Sequence, residues 1–200
     1  MNLRYFLCVG LLGMAAWAHA DVRHVAATHG IPDLSQTVRK HPENGDVADF
    51  YPSGSKKMVG HFKNGQPDGT WTRWFENGNK SEEVLYQEGK IQGVGTRWYS
   101  DGTKRSEKSF ENNIEHGSSK IWYPNGKLQH DMTVQNGEMM NLISWDEKGN
   151  LTAQLNYQNG KRSGVLQDWY QNGNKRMERV LQNDEVVEEQ SWDEDGNILD

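Results

Sequence analysis

An all-β fold is predicted for this 200-residue chain: an elongated β-solenoid or long twisted meander of stacked β-hairpin repeats, each about 24 residues long. Three observations predict it. An aromatic residue followed by a Gly-terminated turn recurs at near-constant spacing. Asn-Gly and Asp-Gly pairs supply the positive φ angles of tight hairpin turns. Hydrophobic residues are only 34% of the chain, yet it holds 8 Trp and 21 Gly. That is far below the roughly 45–50% apolar content of ordinary globular chains, and too rich in aromatics for disorder.

The elements follow in order. Arg4 gives a positive start, Tyr5–Ala18 is an uncharged and mostly apolar run, and Ala18-His19-Ala20 is a small-x-small cleavage site. At 14 residues the run is shorter than the roughly 20 needed to cross a bilayer. Residues 1–20 are therefore expected to be a signal peptide cut after Ala20, making the mature chain exported, periplasmic or secreted. Cys8, the single cysteine, would leave with it, and disulfides and thiol chemistry with Cys8. Residues 21–45, with Pro32 and Pro42 and no aromatic anchor, read as a leader or cap.

Residues 46–200 are the repeat domain, about six and a half repeats. The first aromatic falls at 50, 74, 98, 122, 145, 169 and 192, so that Trp74, Trp98, Trp122, Trp145, Trp169 and Trp192 are structural anchors. A second turn signal runs in phase at Asn64-Gly65, Glu88-Gly89, Asn112-Asn113, Asn136-Gly137, Asn159-Gly160 and Asn183-Asp184, and a third glycine at Gly69, Gly93, Gly117 and Gly164. Each unit reads as strand, turn, strand, turn. Because Phe75, Tyr99, Tyr123 and Tyr170 alternate in their column with Asp146 and Asp193, that face is expected to be partly wet and the Trp face packed. On this reading Trp122→Ala costs more stability than Tyr123→Ala. Phe62, Tyr86, Phe110, Val134, Tyr157 and Leu181 are expected to pack beside the tryptophans of the neighbouring hairpin.

The unit Trp-Tyr-x-Asn-Gly-(Lys/Asn)-Lys, followed after about nine residues by Asn-Gly-x-x-x-Gly, resembles the bacterial variant of the MORN repeat over about Asp46–Asp200. The resemblance implies the repeat fold. It also implies a role as an antitoxin of a toxin–antitoxin system, since many bacterial proteins of this variant are classed so; other MORN proteins are scaffolds or are said to contact lipids. Asn113, Asn141, Asp184 and Glu188 stand where the pattern has glycine, so distorted turns are expected there.

Charge is uneven. The whole chain carries −6, and residues 131–200 hold 14 acidic against 6 basic residues. From Asp184 to Asp200 no Lys or Arg appears. Glu185, Glu188, Glu189, Asp193, Glu194 and Asp195 are thus a candidate docking surface for a basic protein partner, or a charged cap on a sheet edge. Phe75, Tyr99, Tyr123 and Tyr170 are a second candidate, an outer aromatic ladder for extended protein segments or sugars. Acidic balance argues against nucleic acid and anionic lipid.

Motifs for chemistry are sparse. Gly93-Val94-Gly95-Thr96-Arg97-Trp98 puts Trp where a dinucleotide fingerprint needs Gly. Asp193-x-Asp195-x-Asn197 has Ile198 where a calcium loop needs Gly. His24, His29 and His41 lie in the leader without ligand spacing, and His61, His116 and His130 fall in different repeat phases. No catalytic residues, metal or cofactor are expected. The sequence reads as a non-enzymatic, exported protein-binding repeat protein, foremost antitoxin-like or an immunity protein that blocks a toxin or effector, for which a neighbouring gene is the candidate source; the alternative is an envelope scaffold or carbohydrate- or peptidoglycan-binding module.

Overall fold

The computed structural model describes residues 42–199. The expected signal peptide, Cys8, His24, His29, His41 and most of the leader lie outside the described residues. Within them the chain is all-β: strands β1 (Gly45–Phe50), β2 (Lys56–Lys63), β3 (Gln66–Trp74), β4 (Lys80–Gln87), β5 (Lys90–Ile91), β6 (Gly93–Trp98), β7 (Lys104–Glu111), β8 (Ile114–Trp122), β9 (Leu128–Gln135), β10 (Glu138–Trp145), β11 (Leu151–Gln158), β12 (Lys161–Trp169), β13 (Lys175–Gln182), β14 (Glu185–Trp192) and β15 (Ile198–Leu199). They form one open antiparallel sheet in chain order, with the short β5 pairing β4 to one side. Of the two expected architectures, the meander is the one adopted.

Two turn types alternate. The six phase-locked pairs all place both residues at positive φ, as a two-residue type I′ hairpin requires. Asn113 (φ 72°) and Asp184 (φ 73°) do so without glycine, so those two turns are not distorted. Short polar side chains tolerate this region better than other non-glycine residues. The other turn is a five-residue loop closed by two backbone hydrogen bonds. In the first, Tyr51 N–H donates to the Ser55 carbonyl and Gly54 N–H to the Tyr51 carbonyl; the same pair recurs in all seven loops through Asp193.

The third glycine is explained by register. Gly60 faces the three-residue stretch Gly69–Trp71, and Ser109 faces His116–Ser118, so β3 and β8 each carry a two-residue bulge with Gly69 or Gly117 at positive φ. Where Asn141 and Glu188 replace glycine the repeat is one residue shorter, and only Met140 or Val187 is left unpaired. The altered spacing is thus a smaller bulge. Gly164 is different: β11 and β12 pair without a break, and a Cβ there would meet the Gln154 carbonyl oxygen at 2.1 Å.

The packed side of the sheet differs from the expected one. All six anchor tryptophans are half-buried, whereas Trp71, outside the anchor column, is fully buried. The reason is register. The pairing shifts at the anchor, as between Arg73 and Trp74, so each anchor sits on the shoulder of its loop. Three residues earlier, Trp71 lies across from Val84 on the opposite face. Phe62 and Tyr86 do pack beside a tryptophan, but it is Trp71, at ring-centroid distances of 5.2 and 5.8 Å, both edge-on. Met58, Val84 and Ile91 complete this core. Gly60 lies beneath the indole, where a Cβ would come within 2.2 Å of the ring. A second core gathers Ala153, Leu155 and Leu181 with Leu142, Tyr157 and Leu166. Between the cores the position equivalent to Trp71 shrinks to Gly95 and Ser119, and ionic pairs fill the interval. Arg97 binds the buried Glu82 at 2.7 Å and Lys108 binds Glu115 at 2.9 Å.

Candidate functional site

The anchor column is a ladder of cations on aromatic rings. Lys56, Lys80 and Lys104 stack over Trp74, Trp98 and Trp122, each lysine opening the strand that follows the preceding loop, with nitrogen-to-centroid distances of 5.2, 5.7 and 5.4 Å. Lys175 contacts both Trp169 and Trp192. Lys80, Lys104 and Lys175 also pair with Glu83, Glu107 and Glu178, at 2.5–2.6 Å. At Trp74, Trp98, Trp122, Trp169 and Trp192 the anchor therefore serves the ladder as well as burial, because an indole is the best ring for a cation.

The aromatic ladder candidates have structural partners. The Tyr99, Tyr123 and Tyr170 hydroxyls donate to the main-chain carbonyls of Trp122, Trp145 and Trp192, at 2.8, 3.0 and 2.8 Å, as does Tyr51 to Trp74. Each tyrosine thereby fastens its loop to the next repeat. Burial raises the Tyr123 phenol's pKa, which keeps the donor protonated. Arg105 covers one ring face of Tyr99. Phe75 occupies the same column without a hydroxyl. Asp146 and Asp193 replace the tyrosine and instead close their own loops: the Asp146 carboxylate accepts from Gly149 and Asn150, that of Asp193 from Asp195 and Asn197. The Asn197 side chain first, then the backbone amides, hold Asp193 below the usual carboxylate range.

The acidic candidates gather at the C-terminal end of the sheet, on β14 and the loop after it. Glu185, Glu188, Glu194 and Asp195 are exposed and have no ion-pair partner among the described residues, while Glu189 pairs with Arg179 at 2.5 Å. Asp193 belongs to its loop rather than to a free surface. Four of the nine exposed large apolar side chains among the described residues also lie here: Val186, Val187, Ile198 and Leu199. Their clustering was legible only after β14 had been placed at the edge, since in sequence they read as ordinary strand residues.

The concavities are shallow. One, about 400 Å³, is lined by Val47, Ala48, Val59, Gly60, Thr70 and the pair Asp46–His61, whose side chains meet at 2.7 Å. Among the described residues no three potential metal ligands converge. No helix there is long and apolar enough to cross a membrane, which says nothing of strands.

The profile of the family described as "MORN repeat variant" matches residues 67–88 and 115–136. Both windows run from the strand after one type I′ turn to the next such turn, and each holds one anchor, Trp74 or Trp122. In these windows the chain is similar to that repeat. A search of curated proteins found no match. Among solved structures 22 chains are similar. One belongs to the "Glycosylation Associate Protein (Gap123) complex from Streptococcus agalactiae", 16% identical, with a TM-score of 0.32 over 64% of this chain and 24% of that one.

Proposed function

We propose that this chain is a non-catalytic, exported binding protein that holds a protein partner at its acidic C-terminal end, in the manner of an antitoxin or immunity protein. One observation carries the reading. The repeat array commits its recurrent polar groups to itself, through tyrosine hydroxyls, turn asparagines and the Lys–Trp ladder, whereas the carboxylates of Glu185, Glu188, Glu194 and Asp195 are left free on one exposed end. Free charge of one sign on a rigid end steers a complementary partner and raises its association rate. The similarity to the MORN repeat variant supports a binding scaffold and is neutral on the partner. The signal-peptide pattern of residues 1–20 supports export.

The test is co-purification with the product of the neighbouring gene at low and high salt. Glu185, Glu188, Glu194 and Asp195 are changed together to amides, and Asp193 is left intact because it closes its loop. The expected result is a complex weakened at least tenfold by the substitutions and by salt. A complex indifferent to both overturns the acidic-end reading. Glycan or peptidoglycan binding lost on Tyr99→Ala with Tyr123→Ala, while Tyr99→Phe retains it, would favour the alternative aromatic-face reading.

A further inference from the structure

Among the described residues, β14 is an edge strand with no strand alongside it for most of its length. On one side it pairs with β13 from Glu185 to Ser191; on the other, β15 pairs only with Ser191 and Trp192. From Glu185 to Gln190 the outer row of amides and carbonyls has no strand partner among the described residues. Such a row is a template for another strand, and proteins blunt it with charge when it is not used. Here the blunting is incomplete, since Val186 and Val187 are 52% and 51% exposed.

We infer that this edge binds an extended basic segment of a protein partner by adding it to the sheet as a further strand; this rests on the acidic-end reading above and names how that end is occupied. Ladder alternation makes the inference specific. Glu185 flanks the type I′ turn opposite Gln182, so its own amide and carbonyl face β13 and those of Val186 face outward. Main-chain groups at Val186 supply affinity, and side-chain alternation supplies selectivity. Val186 lies across from Leu181 on the core face, while Glu185 and Glu188, opposite Gln182 and Val180, lie on the other. The added strand therefore carries apolar residues on the Val186 side and Lys or Arg on the Glu185–Glu188 side.

Charge also selects against a second copy as occupant. β14 against β14 would set glutamates face to face. Like charges opposite one another destabilise a strand pair.

The experiment uses the full chain and a capped peptide alternating Lys and Val over seven residues, with an alternating Glu and Val peptide and a Lys/Gly/Ser peptide as controls. Binding is read by titration and amide exchange is read along β14. The Lys/Val peptide is expected to bind at least tenfold more tightly than either control and to slow exchange at the Val186 amide. Val186→Pro removes an outward N–H that β13 does not use, and proline is tolerated at strand edges. It is expected to weaken the peptide at least tenfold with an unchanged circular dichroism spectrum, while Val186→Thr binds as the parent does. Binding that survives Val186→Pro but falls with Glu185→Gln and Glu188→Gln overturns strand addition and leaves the acidic-end reading standing. Binding indifferent to all of these variants overturns both. Protection of the Val186 amide that grows with protein concentration, without peptide, makes a second copy the occupant and overturns the basic segment.

Discussion

Replacing Trp71 by alanine is expected to be the most damaging substitution of a tryptophan in the array. The side chain is fully buried, its indole N–H donates to the His61 carbonyl at 3.2 Å, and it meets Phe62 and Tyr86 edge-on. Trp→Ala at a buried site costs about 3–5 kcal/mol, depending on how far the surroundings collapse. Collapse is restricted here, because Phe62 and Tyr86 are fixed on separate strands and Gly60 has no side chain to fill the space. The expected loss is therefore near the top of the range, about 4–5 kcal/mol. Trp122→Ala starts from half burial, which gives up about half of a 1.5–3 kcal/mol transfer term. Loss of the Lys104 contact adds about 0.5–1 kcal/mol, for a total near ~2 kcal/mol. In urea, with a slope of about 1–3 kcal/mol/M, the two midpoints should differ by roughly 0.7–3 M. Repeat arrays can open in parts, so amide exchange is followed alongside the melt. Trp71→Ala should accelerate exchange in β2–β4 before it does so around Leu155. If Trp122→Ala costs as much as Trp71→Ala, the assignment of the packed face is wrong.

Phe75→Tyr should add the missing fastening to the Trp98 carbonyl and stabilise by up to ~1 kcal/mol, whereas Tyr99→Phe should lose ~1 kcal/mol or more by orphaning the Trp122 carbonyl; paired thermal melts check both. Arg97→Ala leaves the carboxylate of Glu82 buried and unpaired, with an expected loss of about 3–5 kcal/mol. Burial raises the pKa of Glu82 despite the attraction of Arg97, so the variant's deficit should be smallest below the normal Glu range and grow as pH rises through the raised value; urea melts across pH 4–8 read this. Burial lowers the pKa of His130, whose ring bonds to Ser144, so its neutral form is favoured by folding. Its contribution is present above the ordinary His value of about 6.5 and is lost as pH falls through the folded value. His130→Gln should flatten that acid-side decline, and an unchanged pH profile would remove His130 as its source.

The hairpin meander was legible because turn chemistry is local. Positive φ at two adjacent residues is written directly into Asn-Gly, and even Asn112-Asn113 keeps the signal. The packed face was not legible in the same way, because it depends on where the ladder slips by one or two residues. Counting alternation back from Trp74 leads to Thr72, on the face opposite Trp71 and its core partners. A signal was available: Gly60 interrupts a strand outside the turn phase, as a residue must when a large ring lies against its backbone, and Trp71 is the ring. The acidic end was legible as composition, but its exposure on an unpaired edge required the order of the strands. The tyrosine hydroxyls were not assignable from sequence because their acceptors are carbonyls 22–23 residues away, and carbonyls leave no trace in side-chain identity.

Those hydroxyls give the array a direction. A loop with tyrosine is complete only once the following repeat has formed, since its acceptor lies there. A loop with aspartate closes on its own side chain, although Lys148 of the Asp146 loop still donates to the Gln171 carbonyl of the next repeat. Asp146 is then punctuation within the array: a break after its loop would leave no phenol in search of a carbonyl.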